Sequence, residues 1–167
     1  MYRAAAALIA AILLPGVSTA ADLPLPKGAV VLKVTGEIEN TNNGREADFD
    51  MAALEAMAGR EARMATPWTE GKTAFSGPFL RSVLASVGAR GKTIRLVALN
   101  DYSAEIPVGD ATDLDTILAT RKDGKPMSVR DKGPLFLIYP FDQSFELYNE
   151  KYFSRSVWQI KELVILP

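Results

Sequence analysis

A chain of 167 residues with no cysteine and no histidine has to hold itself together with an apolar core and hydrogen bonds alone. No disulfide can staple it, and no thiolate and imidazole set can build a structural zinc site. The same absence removes Ser-His-Asp and Cys-His nucleophiles, so the remaining chemistry favours binding over turnover. At this length one core suffices, and 48% hydrophobic with 23% charged residues is the balance of an ordinary globular domain. A formal net charge of -1 and the lack of any long basic block leave no electrostatic footprint for nucleic acid. The sign-mixed stretches 60–63 and 121–125 read as solvated surface.

The N-terminus is a separate matter. Arg3 is followed by an unbroken apolar run over 4–14 and then by the small residues Ser18, Thr19, Ala20 and Ala21, the layout of a cleaved secretory signal peptide over 1–21. A membrane anchor would need roughly 20 apolar residues, and Pro15-Gly16 interrupts the run. The expectation is export to the periplasm of a single domain, 22–167. Exported small domains often carry disulfides, but this one is large enough to be stable without them.

Along the domain, residues 30–34 are apolar and β-branched and predict a first strand. Phe49, Met51, Leu54 and Met57 recur at helical spacing and predict a helix over 48–58 ending at Gly59; Asp48, Asp50 and Glu55 within it lack the spacing of a calcium loop. A brief strand over 63–66 would deliver Pro67-Trp68. Phe79, Leu80, Val83, Leu84 and Val87 predict a helix over 77–87, capped by Ser76 and ended by Gly88. Strands over 93–99 and 102–107 flank a tight Asn100-Asp101 turn. A helix from Asp110 or Thr112 through Leu118 leads to a turn over 122–126, followed by an apolar strand over 135–139 and a last strand over 157–166. Two longer loops remain, 40–45 and 143–153. Strands and helices mix without regular βαβ alternation, which predicts an α+β domain with a mixed sheet.

The helix opened by Gly77-Pro78 with Leu80 and Leu84, then Leu99-Asn100-Asp101-Tyr102, Leu118-Ala119, Asp123-Gly124-Lys125-Pro126-Met127, Gly133-Pro134-Leu135 and Ser156-Val157-Trp158-Gln159-Ile160 together resemble the molybdopterin-binding domain of sulfite-oxidase-like oxidoreductases. The likeness runs in order over roughly 65–166. Enzymes of that kind ligate molybdenum with a cysteine thiolate, which this chain lacks, and usually carry a basic residue where Val157 stands, before the tryptophan of the closing strand. In these departures the chain is similar to the small periplasmic pterin-binding members of the fold. That resemblance implies a metal-free reduced pterin as ligand, and as partner the periplasmic domain of a membrane-bound enzyme of cyclic di-GMP signalling.

The residues carry a physical case beside the resemblance. A pterin offers a 2-amino group and a ring N–H on one edge, a donor pair that a carboxylate accepts with two parallel hydrogen bonds. Asp101 is the first candidate, with turn formation an equal reading; Asn100 is either a partner for the ring carbonyl or a turn former. Trp68 and Tyr102 are candidates for the apolar faces of the ring, Tyr102 equally for the sheet, whereas Trp158 is expected in the core. Asp131, Lys132 and Gly133 form a third element, either a ligand edge or a charged turn. Thr66 adds a hydroxyl, and Arg155 either meets an anion or is solvated. The aromatic-rich loop 143–153 is expected either to dock a partner or to pack on the domain. Two other functions stay open: a molybdopterin-dependent oxidoreductase with atypical metal ligation, and a structural subunit without ligand.

Overall fold

The computed structural model describes residues 23–167; the expected signal peptide lies outside them. The first strand, β1 (Val30–Gly36), covers the predicted segment, with Leu32 and Val34 buried and Lys33 exposed. It pairs in parallel with the last strand, β11 (Ile160–Leu166), and antiparallel with β2 (Ala47–Asp50). Gly36 stands at the end of β1 with φ +90°, and a Cβ there would sit 2.1 Å from the Ile165 carbonyl oxygen. Only glycine meets both demands.

Beyond β11 lie β5 (Thr93–Ala98) and the edge strand β6 (Ser103–Pro107), giving a five-stranded mixed sheet in the order β2-β1-β11-β5-β6. One face of this sheet is apolar: Ile94, Leu96, Ile106, Leu163 and Ile165 are all closed to solvent and pack with Leu80, Val83 and Leu84 of the helix α2 (Leu80–Ser86). The other face carries ion pairs such as Arg95–Glu105 at 2.8 Å, the pattern of a sheet covered on one side.

A second layer is built from β3 (Gly59–Ala65), β4 (Lys72–Pro78) and the hairpin of β8 (Arg121–Lys122) and β9 (Lys125–Pro126), which turns at Asp123-Gly124 with both residues at positive φ. Its apolar residues, Ala62, Met64 and Phe75, meet Ile117, Ala119, Phe136 and Ile138 of a two-stranded unit, β7 (Ile117–Ala119) with β10 (Phe136–Ile138). The molecule is therefore an α+β domain with two cores.

Several elements differ from the sequence reading, each because pairing outweighs local periodicity. The predicted helix over 48–58 is β2 followed by a short α1 (Met51–Glu55): residues 47–50 are all buried beside β1, and the Asp50 carboxylate turns the chain by accepting the Ala53 N–H at 2.8 Å. Ser76 does not cap a helix; it lies within β4 between Glu61 and Arg121, and α2 starts after Phe79. Gly88 does end that helix in the left-handed region. The predicted helix through Leu118 shrinks to α3 (Gly109–Thr112), since 117–119 is taken by pairing with β10. The strand over 63–66 begins four residues earlier, at Gly59.

Residues 143–153 are not an irregular loop. They hold a 3-10 turn, Phe145–Leu147, and the start of a helix, α4 (Glu150–Arg155), capped by the Asn149 side chain on the Lys151 N–H at 2.9 Å. The final strand begins at Ile160 rather than 157, because Gln159 takes a positive φ of 56°.

Candidate functional site

A cleft of about 470 Å³ opens where the two layers meet. Three separate stretches of chain build it. The first follows β3: buried Thr66 shares a hydrogen bond between hydroxyls with Thr69 at 2.8 Å, closing a turn that projects Trp68 into the cleft. The Trp68 ring is fixed edge-on against Phe136, Phe153 and Trp158, at centroid separations of 5.3, 5.8 and 6.3 Å. Trp68 is half-buried: it lines the cleft and also packs against the second core.

The second stretch is the β5–β6 turn. Asn100 accepts the Tyr102 N–H through Oδ1 at 3.2 Å, an Asx turn, while Ala98 and Tyr102 close the hairpin backbone at 2.9 Å. Asn100 and Tyr102 both line the cleft, and the Tyr102 ring is 54% exposed. The third stretch is α4 with the segment after it. Glu150, Phe153 and Ser154 share one helix face and line the cleft together with Ser156, Val157 and Trp158.

Trp158 corrects the sequence reading. It is 39% exposed and forms a cleft wall, outside the last strand and bridged to Phe136. The positive φ of Gln159 breaks the strand alternation that would have turned the indole inward. The ammonium of Lys132 lies 4.5 Å above the Trp158 ring, a cation–π contact that ties the 131–133 segment to the cleft.

The other predicted site residues are not among those lining this cleft. Asp101, at φ 64°, makes the turn, and its carboxylate is ion-paired to Lys161 at 2.6 Å; that ammonium holds the carboxyl below its usual range. Asp131 accepts the Ser128 hydroxyl at 3.0 Å and, with Lys132, Lys122 and Arg130, lines a smaller hollow of about 170 Å³ that also touches Trp68. Gly133 is buried, and its close approach is to its own chain: a Cβ would meet the Met127 carbonyl oxygen at 2.0 Å. Arg155 is half-buried, and its guanidinium donates to Asp110 at 2.8 Å. Thr66 lies beneath Trp68 rather than at the cleft surface.

Sequence reasoning did not name Glu150, Phe153, Ser154 and Ser156 as cleft residues: Phe153 fell in the aromatic-rich loop and Ser156 in the motif of the closing strand. The signal was present: Asn149 ahead of an acidic first turn and a basic last turn is a helix start and stop, hidden by the density of aromatics in the stretch.

A mixed sheet covered on one face, a smaller second layer and an aromatic-walled cleft between them define a small-molecule-binding domain of α+β architecture. Residues 30–148 match the family described as the oxidoreductase molybdopterin binding domain, and the chain belongs to that family. Membership implies a pterin-type ligand. No curated protein matches the chain in sequence. Among solved structures it is similar to the crystal structure of the sulfane dehydrogenase SoxCD from Paracoccus pantotrophus, with a TM-score of 0.59 and 17% identity over 81% of this chain. At that identity the likeness carries the fold alone, since function resides in sites rather than folds. This chain spans 37% of the length of that one.

Proposed function

We propose that the chain is a non-catalytic module that binds a reduced pterin without molybdenum and acts in the periplasm as the soluble partner of a membrane-bound enzyme of cyclic di-GMP signalling. The observation that carries the binding half is the cleft itself, with indoles from Trp68 and Trp158 and a phenol from Tyr102 beside the Asn100 amide. Aromatic rings meeting a flat bicyclic ligand contribute about 1 kcal/mol each beyond burial.

The donor set does not fit a molybdenum centre held by protein. The polar side chains of the cleft are an amide, a carboxylate and hydroxyls, from Asn100, Glu150, Ser154 and Ser156, and the whole chain has no cysteine. Hard oxygen donors are poor substitutes for thiolate at a soft metal. The cleft still offers a pterin ring aromatic walls and an amide, which supports the binding reading.

The signalling half is supported by an aromatic relay. Phe153, on the cleft wall, lies 4.9 Å from the Tyr148 ring, and Tyr148 and Phe145 border a groove beside Arg63 and Lys72. Phe145 is 87% exposed. A ligand that shifts Phe153 therefore reaches the surface through one ring contact, and it alters partner affinity by as much as it discriminates between docked and free states.

The test is to purify the native protein, denature it and measure the fluorescence of released small molecules alongside metal analysis. The expected outcome is a pterin at near-stoichiometric yield with no molybdenum. Stoichiometric molybdenum, with turnover of an oxyanion or a sulfoxide, would establish the oxidoreductase instead. No released pterin and no heat of pterin binding would leave a structural subunit.

A further inference from the structure

We propose that Glu150 reads the hydrogen-bond donor edge of the ligand, so that the cleft selects fused heterocycles with an amine at position 2 over those with a carbonyl there. The inference rests on the cleft being the pterin site. Glu150 is the acidic residue among those lining the cleft, and three carboxylates of neighbouring segments are engaged elsewhere. Asp101 is held by Lys161 at 2.6 Å, Asp110 by Tyr139 and Arg155 at 2.6 and 2.8 Å, and Asp131 by Ser128 at 3.0 Å. Glu150 lines the cleft, and no side-chain hydrogen bond or ion pair of its carboxylate is found among the described residues.

Its position is secured at both ends of α4. Asn149 caps the start by accepting the Lys151 N–H at 2.9 Å, and Arg155 ties the last turn to Asp110. Phe153 and Ser154, three and four residues on, fall on the same helix face, so Glu150 stands at the cleft beside an aromatic residue. The Oδ1 atom of Asn100 is occupied by the Tyr102 N–H at 3.2 Å, which turns its amide to use as a donor.

A 2-amino-4-oxopyrimidine edge presents two adjacent donors, the exocyclic amine and the ring N–H, next to one acceptor, the carbonyl. A carboxylate accepts from both donors, and an amide N–H serves the carbonyl. Replacing the 2-amino group with a carbonyl puts an acceptor against the carboxylate, and a site built for a donor then rejects the analogue strongly. Guanine shares this edge with pterins, so both belong among the probes.

The experiment is calorimetry on the mature chain under reductant with tetrahydropterin, its 2-oxo counterpart tetrahydrolumazine, and guanosine. Wild type is expected to prefer tetrahydropterin over tetrahydrolumazine by about a hundredfold or more. Glu150→Gln presents one acceptor and one donor in place of two acceptors, so tetrahydropterin affinity falls at least about tenfold while the 2-oxo analogue gains. Circular dichroism and a Tm within a few degrees of wild type will confirm that the variant folds, since the carboxylate makes no hydrogen bond or ion pair among the described residues and its helix-start charge contributes little at an exposed site. If wild type binds tetrahydropterin and the variant leaves both affinities unchanged, the role of Glu150 is overturned and the pterin reading stands. Binding of guanosine but not tetrahydropterin, lost in the variant, supports the edge reading and overturns the pterin one. Binding of none of the three overturns both.

Discussion

Asp110 accepts two hydrogen bonds on one oxygen, from the Tyr139 hydroxyl at 2.6 Å and the Arg155 guanidinium at 2.8 Å, in a setting nearly closed to water. Burial, with the Asp110 carboxylate beside it, pushes the Tyr139 phenol far above its usual range, so it remains a donor wherever the protein is folded. Removing the acceptor strands a guanidinium and a phenol together: Asp110→Ala is expected to cost about 3 kcal/mol in urea unfolding. Tyr139→Phe keeps the ion pair and is expected to cost about 1 kcal/mol. Equal losses in the two variants would show that the ion pair adds nothing. At this scale the sequence pointed to Asp101, whereas the carboxylate that lines the cleft belongs to Glu150. Asp101 and Glu150 are both acidic residues near aromatics, and only the path of the chain decides that one meets Lys161 while the other lines the cleft.

Elements depend on devices that reach slightly further. Asp50 ends β2, caps α1 through the Ala53 N–H and also accepts the Lys27 and Gly28 N–H groups, each at 2.8 Å. These backbone donors, that of Ala53 foremost, hold its carboxyl below the usual range. A group whose folded-state pKa is depressed contributes stability above its unfolded value, near pH 4, and that contribution is lost as pH falls through the folded-state value. Asp50→Asn keeps an acceptor for Ala53 but turns an N–H₂ toward two N–H donors. The expected result is a lower urea midpoint at neutral pH and a shallower loss of stability below about pH 4; an unchanged acid slope would remove Asp50 from the acid response. The helix predicted over 48–58 failed at this scale because its first residues pair with β1, which makes 47–50 a strand and leaves helix only from Met51.

For the whole molecule, the cleft is assembled from both layers, so ligand binding stabilises the fold as a unit. At a hundred times Kd, tetrahydropterin is expected to add about 2.7 kcal/mol to the unfolding free energy, read as a rise in Tm. Phe145→Ala touches a ring that is 87% exposed and is expected to shift stability by less than about 0.5 kcal/mol, with the ligand-induced rise in Tm intact. A large loss would show that Phe145 packs on the domain rather than standing ready for a partner.

By itself, the sequence determined what neighbours along the chain can settle. The strand at 30–34, the Asn100-Asp101 and Asp123-Gly124 turns, the left-handed Gly88 and the exclusion of thiolate and imidazole chemistry all depend on residue type and short spacing. The tertiary structure alone decided which distant residues meet. Pairing of β7 with β10 overrode a helical stripe, one positive φ at Gln159 moved Trp158 from core to cleft, and Trp68, Asn100, Glu150 and Trp158 became neighbours. Side-chain direction is set by backbone pairing and packing against partners far away in sequence, and no local pattern encodes those partners.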